Sequence, residues 1–141
     1  MRAMMIAAAL VLVSAAPAGA QTGDLSGTWA FQTQSYGSEQ VGAVMSGAAV
    51  FTANAPNRYD IRLLTNELLV NRETGQSRLL TARQNCTGTN DDGQFFIACQ
   101  MAEPLEGYEP DNFILQAGET DQLVGALNSA TSAQATFTRM R

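Results

Sequence analysis

The stretch that most constrains this chain runs from Asn85 to Gln100. It holds the only two cysteines, Cys86 and Cys99, on either side of Asp92-Gly93. Asp-Gly between two strand-like runs specifies a two-residue hairpin turn, because both central positions of that turn need positive φ. With the turn there, residues face one another when their numbers sum to 185, as those of Cys86 and Cys99 do. Counting outward from Asp91/Gln94 as a hydrogen-bonded pair, Cys86/Cys99 falls on a non-hydrogen-bonded one. Opposing Cα atoms there approach to about 4.5 Å, at the short end of what a disulfide spans. The expectation is a cross-linked β-hairpin, whose closed loop should constrain the unfolded chain by about 3 kcal/mol.

A pair of cysteines used structurally belongs to an oxidising compartment, and the start of the chain agrees. Arg2 precedes an apolar run, Met4–Val13, too short to span a bilayer. Small residues follow and end in Ala18-Gly19-Ala20. Residues 1–20 therefore read as a secretory signal peptide cut after Ala20, with no cysteine just beyond it to carry a lipid. The expected location is periplasmic or secreted, with no membrane anchor. What remains, residues 21–141, is the right length for one domain with its own core.

Loss of Arg2 takes the formal charge from −5 to −6. An acidic domain argues against nucleic acid and against anionic membrane surfaces. There is no histidine, and all eight basic residues are arginine. That excludes Ser-His-Asp and Cys-His catalysis, Schiff-base lysines and imidazole metal sites.

The rest of the chain alternates between inward and outward side chains. In Leu25–Thr33, Trp29 and Phe31 share a face with Gly27, the period of a half-buried strand. Val41–Ala53 is apolar on both faces. Its β-branched residues favour a long bent strand over the competing helix, which Gly42 and Gly47 disfavour. Tyr59, Ile61 and Leu63 define another strand, and Thr65–Asn71 either extends it or forms a short helical turn. Ser77–Thr87 leads into the hairpin and Gln94–Met101 returns. Strands are expected at Asn112–Ala117, around Leu123–Leu127 and at Ala133–Met140. Turn residues separate them at Ser35–Gln40, Asn54–Asn57, Arg72–Gln76, Gly118–Asp121 and Asn128–Thr131. About eight strands joined by short turns and no long helix imply an all-β domain, a single eight-stranded antiparallel up-and-down barrel with one disulfide.

Gly27-Thr28-Trp29 on the first strand of such a meander resembles the Gly-x-Trp of the lipocalin and avidin-like barrels, the calycin group. The resemblance implies that Trp29 plugs one barrel end and that Arg139, on the last strand, packs across it. A cation–π contact of that kind contributes about 0.5–2 kcal/mol. The chain lacks the further tryptophans of the avidin pocket and the C-terminal helix of long lipocalins. The opening Leu25-Ser26-Gly27-Thr28-Trp29 is also similar to that of small secreted metalloprotease inhibitors, which are eight-stranded barrels themselves. The strands Asp111–Leu115 and Ala135–Arg139 resemble those of uncharacterised periplasmic proteins of α-proteobacteria, a likeness that implies no activity.

Candidate sites follow from these placements. Phe31, Tyr59, Phe95, Phe113 and Phe137 fall on inward faces, where they either fill the barrel or line a pocket for a small apolar ligand. Asp91-Asp92 is explained by the turn itself. The loop Glu103–Asp111 carries four carboxylates, read as a solvated acidic loop, without the spacing of a calcium-binding loop. No metal, cofactor or catalytic residue is expected. The chain is expected to be a monomeric, non-enzymatic exported binding protein, taking a small apolar ligand or an envelope partner protein. The alternative is a secreted protease-inhibitor-like module acting through Gln21–Asp24.

Overall fold

The computed structural model describes residues 23–141. The signal-peptide reading of residues 1–20 lies outside the described residues. Nine strands follow in order: β1 Gly27–Thr33, β2 Tyr36–Gly37, β3 Val41–Ala55, β4 Arg58–Asn71, β5 Ser77–Asp91, β6 Gln94–Met101, β7 Asn112–Ala117, β8 Gln122–Asn128 and β9 Ser132–Arg139. Each pairs antiparallel with its spatial neighbours, and the pairing of β1 with both β9 and β3 closes the sheet. The result is an eight-stranded barrel. The two-residue β2 is a ninth, short addition, laid on β3 through Tyr36/Ala43 and Gly37/Gly42. No helix among the described residues is long and apolar enough to cross a membrane.

The β5–β6 hairpin has the expected register: Asp91 faces Gln94, Cys86 faces Cys99 and Gln84 faces Met101. Asp92 (φ 49°) and Gly93 (φ 84°) sit at the turn, both left-handed as a type I′ turn requires. Cys86 and Cys99 are disulfide-bonded, with their Cα atoms 4.0 Å apart.

Val41–Ala55 is one continuous strand, and Thr65–Asn71 extends β4 rather than turning into a helix. Both outcomes follow from the ladder: β3 and β4 pair from Val41/Asn71 to Ala53/Tyr59, so each holds the other extended. Gly47 marks the tightest approach. A Cβ there would sit 1.9 Å from the Leu64 carbonyl oxygen and 2.7 Å from the Phe31 ring. Gly47→Ala is therefore expected to lower stability by about 1–3 kcal/mol through overpacking, read as a lower urea midpoint at unchanged slope.

The strands are unequal. β3, β4 and β5 have 15, 14 and 15 residues, whereas β6 to β9 have six to eight. The three long strands overrun the barrel wall on one side.

Candidate functional site

The barrel interior is a continuous aromatic stack. Trp29 stacks on Phe51 at 5.4 Å between ring centroids, and Phe51 stacks on Phe95 at 5.5 Å. Phe31 stacks on Phe137 at 5.0 Å, and Phe113 meets both edge-on at 5.6 and 5.1 Å. Tyr59 closes on Phe95 at 5.7 Å. Of the five residues read as pocket lining, Phe31, Tyr59, Phe95, Phe113 and Phe137, all are buried and each ring touches another ring of the set or Phe51. Packed ring on ring, they fill the interior, the side-chain-filled one of the two states open to an eight-stranded barrel. The room that Gly47 would leave is occupied by the Phe31 ring.

One end is sealed by Trp29 and Arg139. The Arg139 guanidinium carbon lies 4.6 Å from the centroid of the Trp29 ring. Its nitrogens donate to the Ser26 carbonyl (2.6 Å), the Asp24 carbonyl (2.9 Å) and the Asp121 carboxylate (3.2 Å). Trp29 Nε1 donates to the Leu25 carbonyl at 2.9 Å, and the Leu25 amide donates to the Tyr59 hydroxyl at 3.1 Å. Asp24, which is exposed, and Asp121, which is half-buried, are both held below the usual carboxylate range. The chief causes are the Ser26 amide for Asp24 and the Arg141 guanidinium for Asp121.

The opposite end is polar. The loop after β6 turns Asp111 into the barrel mouth, where it is 1 % exposed. Its amide donates to Gln84 Oε1 at 2.8 Å, and Gln84 Nε2 donates back to Asp111 Oδ2 at 2.6 Å. Tyr108 donates to the same oxygen at 2.6 Å, while Gln84 also reaches Thr65 Oγ1 at 3.2 Å. The Tyr36 hydroxyl donates to the Glu67 carboxylate nearby. Burial raises the Asp111 carboxyl above its ordinary value and pushes the Tyr36 and Tyr108 phenols up as well. About 60 Å³ of space remains between this network and the loop, lined by Met45, Glu67, Tyr108, Asp111 and Ser129. The acidic loop thus divides. Glu103, Glu106 and Glu109 are exposed while Asp111 is interior, and no three acidic or cysteine side chains among the described residues gather as metal ligands would.

A raised Asp111 makes a signed prediction. The folded chain holds that proton more tightly than the unfolded chain, whose aspartates titrate near 4. Stability from Asp111 is then fully present below that value and is lost as pH rises through the folded pKa. The stability of the wild type relative to Asp111→Asn should fall as pH goes from about 3 to 7. Urea denaturation of both chains across that range checks it. Asp24 and Asp121 are present in both and cancel.

The larger concavities lie outside the barrel, on β3, β4 and β5. A groove of about 750 Å³ is lined by Val50, Thr52, Asp60, Arg62 and Asn85. A second, of about 440 Å³, continues over Ala48, Leu64, Arg62, Arg83 and Glu103. The register explains the lining: Val50/Arg62/Asn85 and Ala48/Leu64/Arg83 are rows that cross the three strands on the outward side. Charge is uneven around the barrel, residues 58–83 holding five arginines against Asp60, Glu67 and Glu73. Arg58, Arg62, Arg72, Arg78 and Arg83 all fall within residues 58–83, while residues 84–138 contain eight carboxylates and no basic side chain. Both ion pairs among the described residues use Asp121 with Arg139 or Arg141, so none of those five arginines is paired there.

Several of these residues escape a reading by residue type. Thr65, Glu67 and Gln84 are polar residues at inward positions of β4 and β5, and Asp111 lies two before inward Phe113. Carrying the inward period through those strands would have flagged them. No such signal marks Tyr36 and Tyr108, which reach the mouth from outside the long strands.

Fold and geometry define the class, a closed all-β barrel with a filled core, a polar mouth and a grooved outer wall. No protein-family model matches the sequence, and no curated protein matches it. Among solved structures the chain is similar to a de novo designed fluorescence-activating beta barrel, with a TM-score of 0.58 and 16% sequence identity over 82% of this chain and 93% of that one. At that identity the likeness shows the fold alone.

Proposed function

We propose that this chain is a non-enzymatic binding protein that engages a partner protein through the outer β3–β5 wall, with the filled barrel as a rigid support. The observation that carries this reading is where the space lies. The interior is occupied by stacked rings, with about 60 Å³ at the polar mouth, whereas the outer grooves measure about 440 and 750 Å³. A drug-sized ligand needs a pocket of roughly 300 Å³ or more, which favours the outer wall over a carrier role. The disulfide suits an oxidising compartment, and together with the leader reading it supports export to the periplasm or medium. The inhibitor-like alternative needs the segment before Leu25 to reach into a cleft. Leu25 is buried under Tyr59, and Asp24 is tied to Ser26 and Arg139, which weighs against it.

Two measurements test the reading. Native mass spectrometry of the protein purified from its producing cell should give the bare chain mass. An added mass lost on denaturation would restore the carrier reading. A photo-crosslinking residue at Leu64, in the outer groove, should give adducts in that cell, and one at exposed Ile114, on β7, should not. Equal capture at both positions would remove the outer wall as the binding surface.

A further inference from the structure

The outer wall ends in an open strand edge. β6 pairs with β5 only from Gln84 to Asp91, and the last bond to that side is from the Ala102 amide to the Arg83 carbonyl, at 2.9 Å. Below it, from Ser77 to Ala82, β5 has β4 on one side and no strand on the other among the described residues. In an antiparallel ladder the backbone groups of alternate residues face the same way. Because Arg83 faces β6, the amides and carbonyls of Thr81, Leu79 and Ser77 face the open side.

Proteins usually guard such an edge with charge, proline, a bulge or a cover. Here the edge carries Leu79, 61 % exposed and the most exposed of the large hydrophobic residues. Leu79 also ends an apolar row. Val44 faces Leu68 and Leu68 faces Leu79, all three on the outward side and all exposed. Arg83 stands on the same outward face and Arg78, next to Leu79 along the strand, on the other, both without an ion-pair partner among the described residues.

We infer that the free edge of β5 at Ser77–Thr81 accepts an extended acidic segment of a partner protein as an added strand. This rests on the reading of the outer wall as the binding surface and names what binds there. Each feature selects one property of the segment. The open amides and carbonyls select an extended backbone, which supplies the missing hydrogen bonds. Leu79 selects an apolar side chain directly opposite it, extending the Val44–Leu68 row by one strand. Arg78 and Arg83 select carboxylates, one adjacent to that apolar residue and opposite Arg78, and one two positions away opposite Thr81, diagonal to Arg83, whose own opposite place Ala102 fills. A lipid surface, the other anionic partner, would leave the edge groups without hydrogen bonds in hydrocarbon, so the peptide is the better fit. Away from this edge, the exposed carboxylates Asp91, Asp92, Glu106, Glu109 and Glu119, at the hairpin turns and in the loop after β6, repel the same partner.

The test uses the full chain and a labelled, end-blocked peptide Thr-Glu-Thr-Val-Glu, with the first glutamate opposite Thr81 and diagonal to Arg83, the valine opposite Leu79 and the second glutamate opposite Arg78. Fluorescence anisotropy should show saturable binding that weakens as salt rises. Replacing both glutamates by glutamine, or making Arg78→Gln/Arg83→Gln, should weaken it at least tenfold. Thr81→Pro should do the same. It removes an open-edge N–H while leaving the β4 ladder intact, a substitution an edge strand tolerates. Circular dichroism verifies that each variant is folded. Hydrogen exchange should slow at Leu79 and Thr81 when peptide is added.

Equal binding of the neutral peptide, or unchanged exchange at those two amides at saturation, overturns the inference. Amides already slow without peptide overturn it too. Slowing that depends on protein concentration would mean a second copy holds the edge, and slowing that does not would mean the chain's own residues cover it. Failure here with Leu64 cross-links intact removes the added strand and keeps the outer-wall reading. Loss of both removes that reading.

Discussion

Phe137→Ala is expected to lower the unfolding free energy by about 3–5 kcal/mol, the cost of truncating a fully buried phenylalanine. Phe137 is wholly buried and lies where the stack branches, against Phe31, Phe113 and Phe51 at 5.0, 5.1 and 6.4 Å. Its removal takes away apolar burial and two close ring contacts, and the closed barrel limits how far the wall can collapse into the gap. A domain has only about 5–15 kcal/mol in total, so the variant should be marginal at 37 °C. Urea denaturation gives the midpoint. A loss under about 1 kcal/mol would mean that the interior has slack the ring contacts do not reveal, and would reopen a carrier role for the barrel.

Removing the disulfide is the second large effect. Cys86→Ala/Cys99→Ala should cost about 3 kcal/mol, since the cross-link closes a short loop whose entropy is restored to the unfolded chain. At roughly 4 °C per kcal/mol for a domain of this size, the melting temperature should fall by about 12 °C. The fold should survive. The β5–β6 ladder is complete from Gln84 to Asp91, and a type I′ turn closes it without the sulfurs. Thermal melts of both chains check the size, and an unchanged melting point would mean that the unfolded chain is already held compact.

What was legible in the sequence is what rests on local period and pairing. The hairpin register follows from one turn, Asp92-Gly93, and every pair of β5 with β6 follows from it. Trp29 and Arg139 were recognisable only through the resemblance of Gly27-Thr28-Trp29 to the calycin barrels, and the ladder pairs them directly. The two-residue β2 was not legible. It pairs only through Tyr36 and Gly37, too short to show a period. The polar mouth was hidden for another reason. Asp111 reads like Glu103, Glu106 and Glu109 by charge, and only its place two residues before Phe113 turns it inward. The outer wall depends on a comparison that no single segment contains. Its open edge exists because β3, β4 and β5 outrun β6, and how far one strand outruns its neighbour is not marked by any residue within either strand.

The closure of the sheet has a consequence for the order of events in folding. β9 lies between β8 and β1, so the first and last strands become neighbours, and Arg139 bonds to a carbonyl 113 residues away at Ser26. A nascent chain that has produced β1 to β8 can zip up its hairpins one after another, yet it still has two bare edges and a Trp29 without its arginine. Only the final eight-residue strand seals the ring. Contacts between such distant residues form slowly, because the loop must close before any of them is rewarded. Until then the growing chain is an incomplete sheet that other chains can join. The order of the strands thus leaves both sheet edges open until β9 takes its place between β8 and β1.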